Sequence, residues 1–307
     1  MQRFHNILFI AEPIEKALPA FHRAVHLAQH NNASLTIMNF RQELPITLMT
    51  LDKTVIQLQQ DQLKSLVEQS KAQELSIKTV TLTGTPFLEI INAVLSNEHD
   101  LVIKPAGDKE GIKNILFGST DMHLMRKCPC PVWVIKPSVK NRYKNILAAV
   151  NPDSEEGNNA ELNDSILKLA ISLAQQDRSQ LHIVHSWEMP YEDEFLSANS
   201  GIPKHEAKEL IHGIKLHHKD TFDELLGNHE LSGLSIKTHL KKGDPAKVIL
   251  DLSKEHKVDL IIMGTVAKTG IPGFFIGNTA EKVLNSIDSS VLAIKPKSFS
   301  TPVEKRA

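Results

Sequence analysis

Short runs of apolar, largely β-branched residues alternate along the chain with longer segments whose apolar residues recur every three or four positions. Ile7-Leu8-Phe9-Ile10, Val132-Trp133-Val134-Ile135 and Leu260-Ile261-Ile262-Met263 are of the first kind. Ala17, Leu18, Phe21, Ala24, Val25 and Ala28 are of the second. An unbroken apolar run of this length suits a strand covered on both faces, whereas a three-to-four spacing marks one apolar face of a helix. The pattern predicts strands at about 6–11, 34–40, 75–82, 100–104 and 132–136, then at about 145–150, 180–186, 234–240, 259–264 and 290–295, with helices between them. Strand and helix in strict alternation imply a parallel sheet with helices on both sides.

The second set of strands repeats the first. Leu75-Ser76-Ile77-Lys78-Thr79 recurs as Leu234-Ser235-Ile236-Lys237-Thr238, an offset of 159. The same offset carries Gly84 and Pro86 onto Gly243 and Pro245, Asp100-Leu101 onto Asp259-Leu260, Gly118 and Thr120 onto Gly277 and Thr279, and Ile135-Lys136-Pro137 onto Ile294-Lys295-Pro296. Asn6-Ile7-Leu8 recurs as Asn145-Ile146-Leu147 at an offset of 139, so the second copy holds about 20 additional residues in its first half, much of them within 187–203. The chain is therefore expected to comprise a first domain over 1–138, a second over 143–297 and a polar tail over 298–307. Each domain is a doubly wound, five-stranded parallel sheet, and ligands of such sheets bind beyond the carboxyl ends of the strands where strand order reverses.

That rule directs attention to the segment after the fourth strand of the second copy, Gly264-Thr265-Val266-Ala267 through Gly277-Asn278-Thr279-Ala280-Glu281. Glycine allows close backbone approach, and the first backbone N–H groups of a helix are unpaired and favour anions. Asn278 with Glu281 three residues on reads as a capping box that starts the helix. Neither a Walker loop nor the dinucleotide fingerprint occurs.

The spacing resembles instead the universal stress protein family, whose nucleotide-binding members carry G-x2-G-x9-G-[ST] after the fourth strand, an aspartate after the first and a nucleoside contact after the second. Gly264 and Gly277 match, Ala267 replaces the middle glycine, and Asn278 followed by Thr279 stands at the serine or threonine position. Asn151 takes the aspartate position, and Val184 and His185 end the second strand at the adenine contact. In the first copy Pro105 and Asp108 stand at the first two glycine positions and Glu12 at the aspartate position, while Asp121 in the first turn after Ser119 would repel phosphate. The resemblance implies a tandem two-domain member, packed as a pseudo-dimer across the two final strands, Val132–Lys136 and Ser290–Lys295. It also implies a cytoplasmic stress-response protein for starvation, oxidative or DNA-damaging conditions. ATP or a related nucleotide is the expected small-molecule ligand, held in the second domain through Asn151, Val184, His185, Gly264, Thr265, Ala267, Gly277, Asn278 and Thr279, with Mg present only alongside nucleotide.

Charge and composition narrow the partners. A formal net charge of -1 over 307 residues, with no long basic stretch, offers no footprint for nucleic acid or an anionic membrane. No apolar run is long enough to span a bilayer and Met1-Gln2-Arg3-Phe4-His5 lacks the regions of a secretory signal, so no membrane insertion is expected. Cys128 and Cys130 read as small side chains entering a buried strand, and His212, His217 and His218 as a solvated helix face. Asp153 and Asp244 read as turn and cap carboxylates rather than catalysts, so no catalytic residue or resident metal is assigned and any slow ATP hydrolysis would be incidental. Ile271-Pro272, Phe274-Phe275-Ile276 and Trp187-Glu188-Met189-Pro190-Tyr191 keep a second reading open: a carrier or sensor of a partly apolar, acyl- or nucleotide-linked lipid. Beyond the intrachain pairing, a homodimer is compatible with the pattern.

Overall fold

A computed structural model of the chain describes residues 4–41, 52–69, 75–107, 117–137, 142–152, 157–189, 191–197, 201–266 and 276–305. Ten strands and nine α-helices follow one another among these residues. The first copy runs β1 (Asn6–Ile10), α1 (Ala17–Asn31), β2 (Ser34–Arg41), α2 (Asp52–Gln69), β3 (Ile77–Thr83), α3 (Pro86–Asn97), β4 (Leu101–Pro105), α4 (Ser119–Lys127) and β5 (Val132–Ile135). The second runs β6 (Asn145–Ala149), α5 (Gly157–Asp177), β7 (Gln180–Trp187), α6 (Glu192–Leu196), α7 (Lys204–Gly227), β8 (Ser235–Lys242), α8 (Pro245–Glu255), β9 (Leu260–Gly264), α9 (Asn278–Leu284) and β10 (Ser290–Ile294). Every predicted strand is present, with ends shifted by a residue or two. No helix among the described residues is long and apolar enough to cross a membrane.

By compactness the chain forms two units, one of residues 1–143, 265–295 and 299–307, the other of 144–264 and 296–298. In the first unit β1 lies between β2 and β4, all parallel, with β3 outside β2 and β5 outside β4. The final strand of the second copy, β10, pairs antiparallel with β5, placing Leu292 opposite Trp133 and Val291 opposite Val134. In the second unit β6 lies between β7 and β9, with β8 beyond β7, again all parallel. Strand order thus reverses beside β1 in one unit and beside β6 in the other, and the chain leaves each reversal point just after the first strand of its copy.

The residues that repeat between copies are those with backbone duties. Asp100 accepts from the N–H groups of His5 and Asn6 at 2.6 and 3.1 Å, and Asp259 accepts from Lys144 and Asn145 at 2.6 and 3.0 Å. In both copies one carboxylate therefore closes the amino end of the first strand, whose donors would otherwise be unpaired. Gly84 and Gly243 adopt φ of +126° and +130°, a region costly for any residue with a Cβ, and Pro86 and Pro245 each begin the helix that follows. The interior face of α1 carries the expected Ala17, Phe21, Ala24, Val25 and Ala28, all buried, whereas Leu18, also expected there, is only half-buried.

Covering β5 with β10 removes an apolar edge that would otherwise template association. Leu292 is fully buried in that pair, whereas Leu58 on α2 is 58% exposed. Leu292→Ala is therefore expected to lower unfolding stability by about 2–5 kcal/mol, and Leu58→Ala to change it by no more than about 0.5 kcal/mol. Urea denaturation of both variants checks this, and equal effects would contradict the assigned pairing.

Candidate functional site

In the first copy the strand ends converge on a buried carboxylate. The N–H groups of Gly107, after β4, and of Gly118, at the start of α4, each donate to Asp121 Oδ2 at 3.0 Å. Lys104, on β4, forms an ion pair with Asp121 Oδ1 and donates from Nζ to the Pro105 carbonyl at 2.8 Å. Both side chains are buried, Asp121 completely. A charge in such a place persists only when paired and hydrogen-bonded, and each of these requirements is met here. Glu12 follows β1 close enough to feel both groups: desolvation raises its carboxyl above the usual range, Lys104 lowers it and Asp121 raises it further. The place where an incoming phosphate would find backbone donors is already filled by the protein's own anion. Asp108, the other departure from the glycine pattern, lies outside the described residues.

In the second copy the counterpart residues have different duties. Asn151 follows β6, and its backbone is clasped by the amide of Asn163 on α5: the Asn151 N–H donates to Asn163 Oδ1 at 3.0 Å and Asn163 Nδ2 donates back to the Asn151 carbonyl at 2.8 Å. Val184 is buried on β7, and its carbonyl accepts from Val150 N–H at 3.0 Å. The first copy makes the equivalent bond from Ala11 N–H to the Met38 carbonyl at 2.8 Å. His185 is buried, with Nε2 3.0 Å from Nδ1 of His218 and its ring beside Phe222; burial pushes it down to about 4, so it is neutral. Leu162 on α5 packs against Gly264, where a Cβ would meet its Cδ2 at 2.8 Å.

The remaining motif residues belong to the first compact unit. Thr265 is buried, and its hydroxyl donates to the Met125 carbonyl at 2.8 Å, which also receives Lys295 Nζ at 2.8 Å. The Lys295 ammonium is fully enclosed beside Cys128 and Cys130; desolvation brings it down to about 8 although both sulfurs oppose the shift. The two cysteines are free and buried as expected, with sulfurs 3.6 Å apart. Gly277, in extended conformation with φ −62° and ψ 141°, is the cap of α9, and its N–H donates to the Thr265 carbonyl at 3.2 Å. The capping box expected of Asn278 and Glu281 does not form: the helix begins one residue earlier than that motif requires, Asn278 is its first residue, and Glu281 donates its own N–H to the Gly277 carbonyl. Asn278 and Thr279 thus occupy the first turn, whose N–H groups have no partner within the helix. Ala267 and the apolar loop 267–275 lie outside the described residues, as does Asp153.

Two further expectations meet the structure differently. Asp244 is a cap: its Oδ1 accepts from Lys247 N–H at 2.9 Å at the start of α8. Of the three histidines assigned to a solvated face, His212 and His217 are exposed, but His218 turns inward to His185 and Trp187. The helical period places it on the boundary of the apolar stripe, and the buried His185 imidazole on β7 gives it a hydrogen-bond partner there. Trp187 is buried and Tyr191 is 72% exposed. Sequence reading missed Lys104 and Asn163 as organising residues. The signals were present, a lysine closing the apolar run Leu101-Val102-Ile103 and an asparagine on a helical stripe that the fold buries.

The comparisons with known proteins agree with this architecture. The model of the universal stress protein family matches twice, at residues 3–136 and 142–295. Universal stress protein E of Escherichia coli strain K12 is 31% identical over 325 aligned positions, covering 99% of this chain and 98% of that protein. A universal stress protein E homologue of Haemophilus influenzae is 26% identical, covering 96% and 98%. Among solved structures, a functionally unknown Pseudomonas aeruginosa protein shares the fold with a TM-score of 0.73 at 22% identity, covering 96% of this chain and 94% of that one. A universal stress protein from Archaeoglobus fulgidus does so with a TM-score of 0.65 at 18% identity, covering 94% and 98%. With two family matches in succession and a relative aligned from end to end, the chain belongs to the universal stress protein family as a tandem member similar to universal stress protein E.

Proposed function

We propose that the chain is a non-enzymatic, cytoplasmic stress-response protein that binds one adenine-nucleotide-type ligand, and that the second copy holds it. The observation that carries the reading is the Asp121 carboxylate with its Lys104 partner. The 159-residue offset places Ala280 at the position of Asp121 and Met263 at that of Lys104. The second copy thus lacks both the internal anion and its counter-ion, while keeping glycine at 277 and the amide and hydroxyl side chains of Asn278 and Thr279. A phosphate approaching the first copy meets a buried carboxylate; the counterpart positions of the second copy carry no charge. Mg enters only with the nucleotide. No residue is assigned as base or as a stabiliser of transferring charge, so binding rather than turnover is the function supported.

Restoring the carboxylate tests this directly. Ala280→Asp is expected to abolish ATP binding measured by calorimetry, and Ala280→Asn, similar in size but uncharged, to retain more of it. Gly118→Glu, in the first copy, should leave binding unchanged. Equal loss in Ala280→Asp and Gly118→Glu would remove the asymmetry between copies. Native mass spectra that instead reveal a copurified acyl lipid would assign the apolar-ligand reading and set the nucleotide reading aside.

The internal pair makes its own prediction. Asp121→Ala strands a buried ammonium and is expected to cost about 3–5 kcal/mol. Adding Lys104→Met, which recreates the residues of the second copy, should recover part of that loss in urea denaturation, because it removes the stranded ammonium while the Gly107 and Gly118 N–H groups still lack the carboxylate acceptor. A double variant as unstable as the single one would show that the pair is not the coupled unit described.

A further inference from the structure

Three histidines of the second unit converge away from the strand ends. His182 lies on β7 and His239 on β8, where the register pairs Val184 with His239 and His182 with Lys237, so the two imidazoles are diagonal neighbours on one face of the sheet. The helix α8 packs against β7, and His256, the residue that caps its carboxyl end, reaches the same spot. One ring nitrogen from each can be chosen so that all three lie within 4.8 Å of one another. His182 Nδ1 is already 3.0 Å from His239 Nε2.

We propose that His182, His239 and His256 form a site for a divalent transition-metal ion of the zinc class. Three imidazoles are a preferred donor set for such ions. Metal–nitrogen distances of about 2.0–2.1 Å place the ligands of a tetrahedral ion about 3.3 Å apart. The His182–His239 pair already stands close to that separation, and rotation of the partly exposed His239 and His256 rings closes the remainder. His182 is 1% exposed, and its Nε2 has no hydrogen-bond partner among the described residues. Glu255 Oε1 lies 3.5 Å from His256 Nε2. It can complete the coordination or orient His256 from outside.

Packing alone does not demand these residues. The strand registers and the repeat offset put Thr36, Val80 and Asn97 at the corresponding positions of the first copy, which builds the same fold without an imidazole there. The competing account is a stack of neutral rings, since the His182 centroid lies 4.3 Å from that of His256 and 5.3 Å from that of His239. A stack needs no ion and should bind none.

The test uses the full chain, stripped with chelator and free of nucleotide, titrated with Zn2+ by calorimetry and with Co2+ by visible absorption. One zinc per chain is expected, together with the intense visible bands of a four-coordinate, nitrogen-rich Co2+ site. His239→Gln and His256→Gln should each weaken zinc binding at least about tenfold, while His217→Gln on the exposed helix face, a control for the chain's 15 histidines, should not. Absence of stoichiometric zinc, a pale six-coordinate Co2+ spectrum, or equal weakening by His217→Gln would each overturn the site. Circular dichroism of the metal-free variants establishes that they remain folded. If His239→Gln is destabilised, the His256→Gln variant and the Co2+ spectrum of the parent chain decide the outcome.

Discussion

Burial of the sheets on both faces is the constraint from which the rest of this structure follows. Strands such as Leu101–Pro105 and Ser290–Ile294 have no exposed residue, so their polar partners must be found at the ends. At the amino ends the solution is a carboxylate, Asp100 in one copy and Asp259 in the other, closing the donors of the first strand. At the carboxyl ends the chain must turn into a helix, and there converging backbone N–H groups require an acceptor. The first copy supplies that acceptor from within its own sequence.

The two copies thus answer the same physical demand in opposite ways. Asp121, gripped by Lys104, Gly107 and Gly118, makes the first copy self-sufficient. Its stability then depends on a buried ion pair, which is secure only while both members remain. The second copy, with Ala280 and Met263 at the corresponding positions, has neither charge. On the proposed reading, a tandem chain built this way combines one structural half with one receptive half. The histidine cluster departs from the same constraint in another direction: His182 is a polar group in the middle of a buried strand, with one ring nitrogen facing His239 and the other without a hydrogen-bond partner among the described residues.

The fold was legible in the sequence because its signals are local. Apolar runs, helical periodicity and the repeated Asp100/Asp259, Gly84/Gly243 and Pro86/Pro245 each mark a backbone requirement that holds wherever the element sits. The site was legible only in part. Positions at strand ends were found by counting, but what each side chain touches depends on elements distant in sequence. Thr265 gives its hydroxyl to the Met125 carbonyl, 140 residues away, and Gly264 is packed by Leu162 on α5. The helix boundary at Gly277 was displaced by one residue because an extended glycine, rather than the asparagine side chain, makes the cap. The convergence of His182, His239 and His256 left no local signal, since it is created by strand register and by the packing of α8 on β7.

The central claim is that one copy is closed by its own carboxylate and the other is open to a nucleotide. It is tested most directly by a crystal structure of the chain grown with ATP and Mg2+. The account predicts one nucleotide per chain, with phosphate oxygens beside Asn278 and Thr279 and with Asp121 still bound to Lys104, Gly107 and Gly118. A nucleotide phosphate at Gly118, with Asp121 displaced, would contradict it.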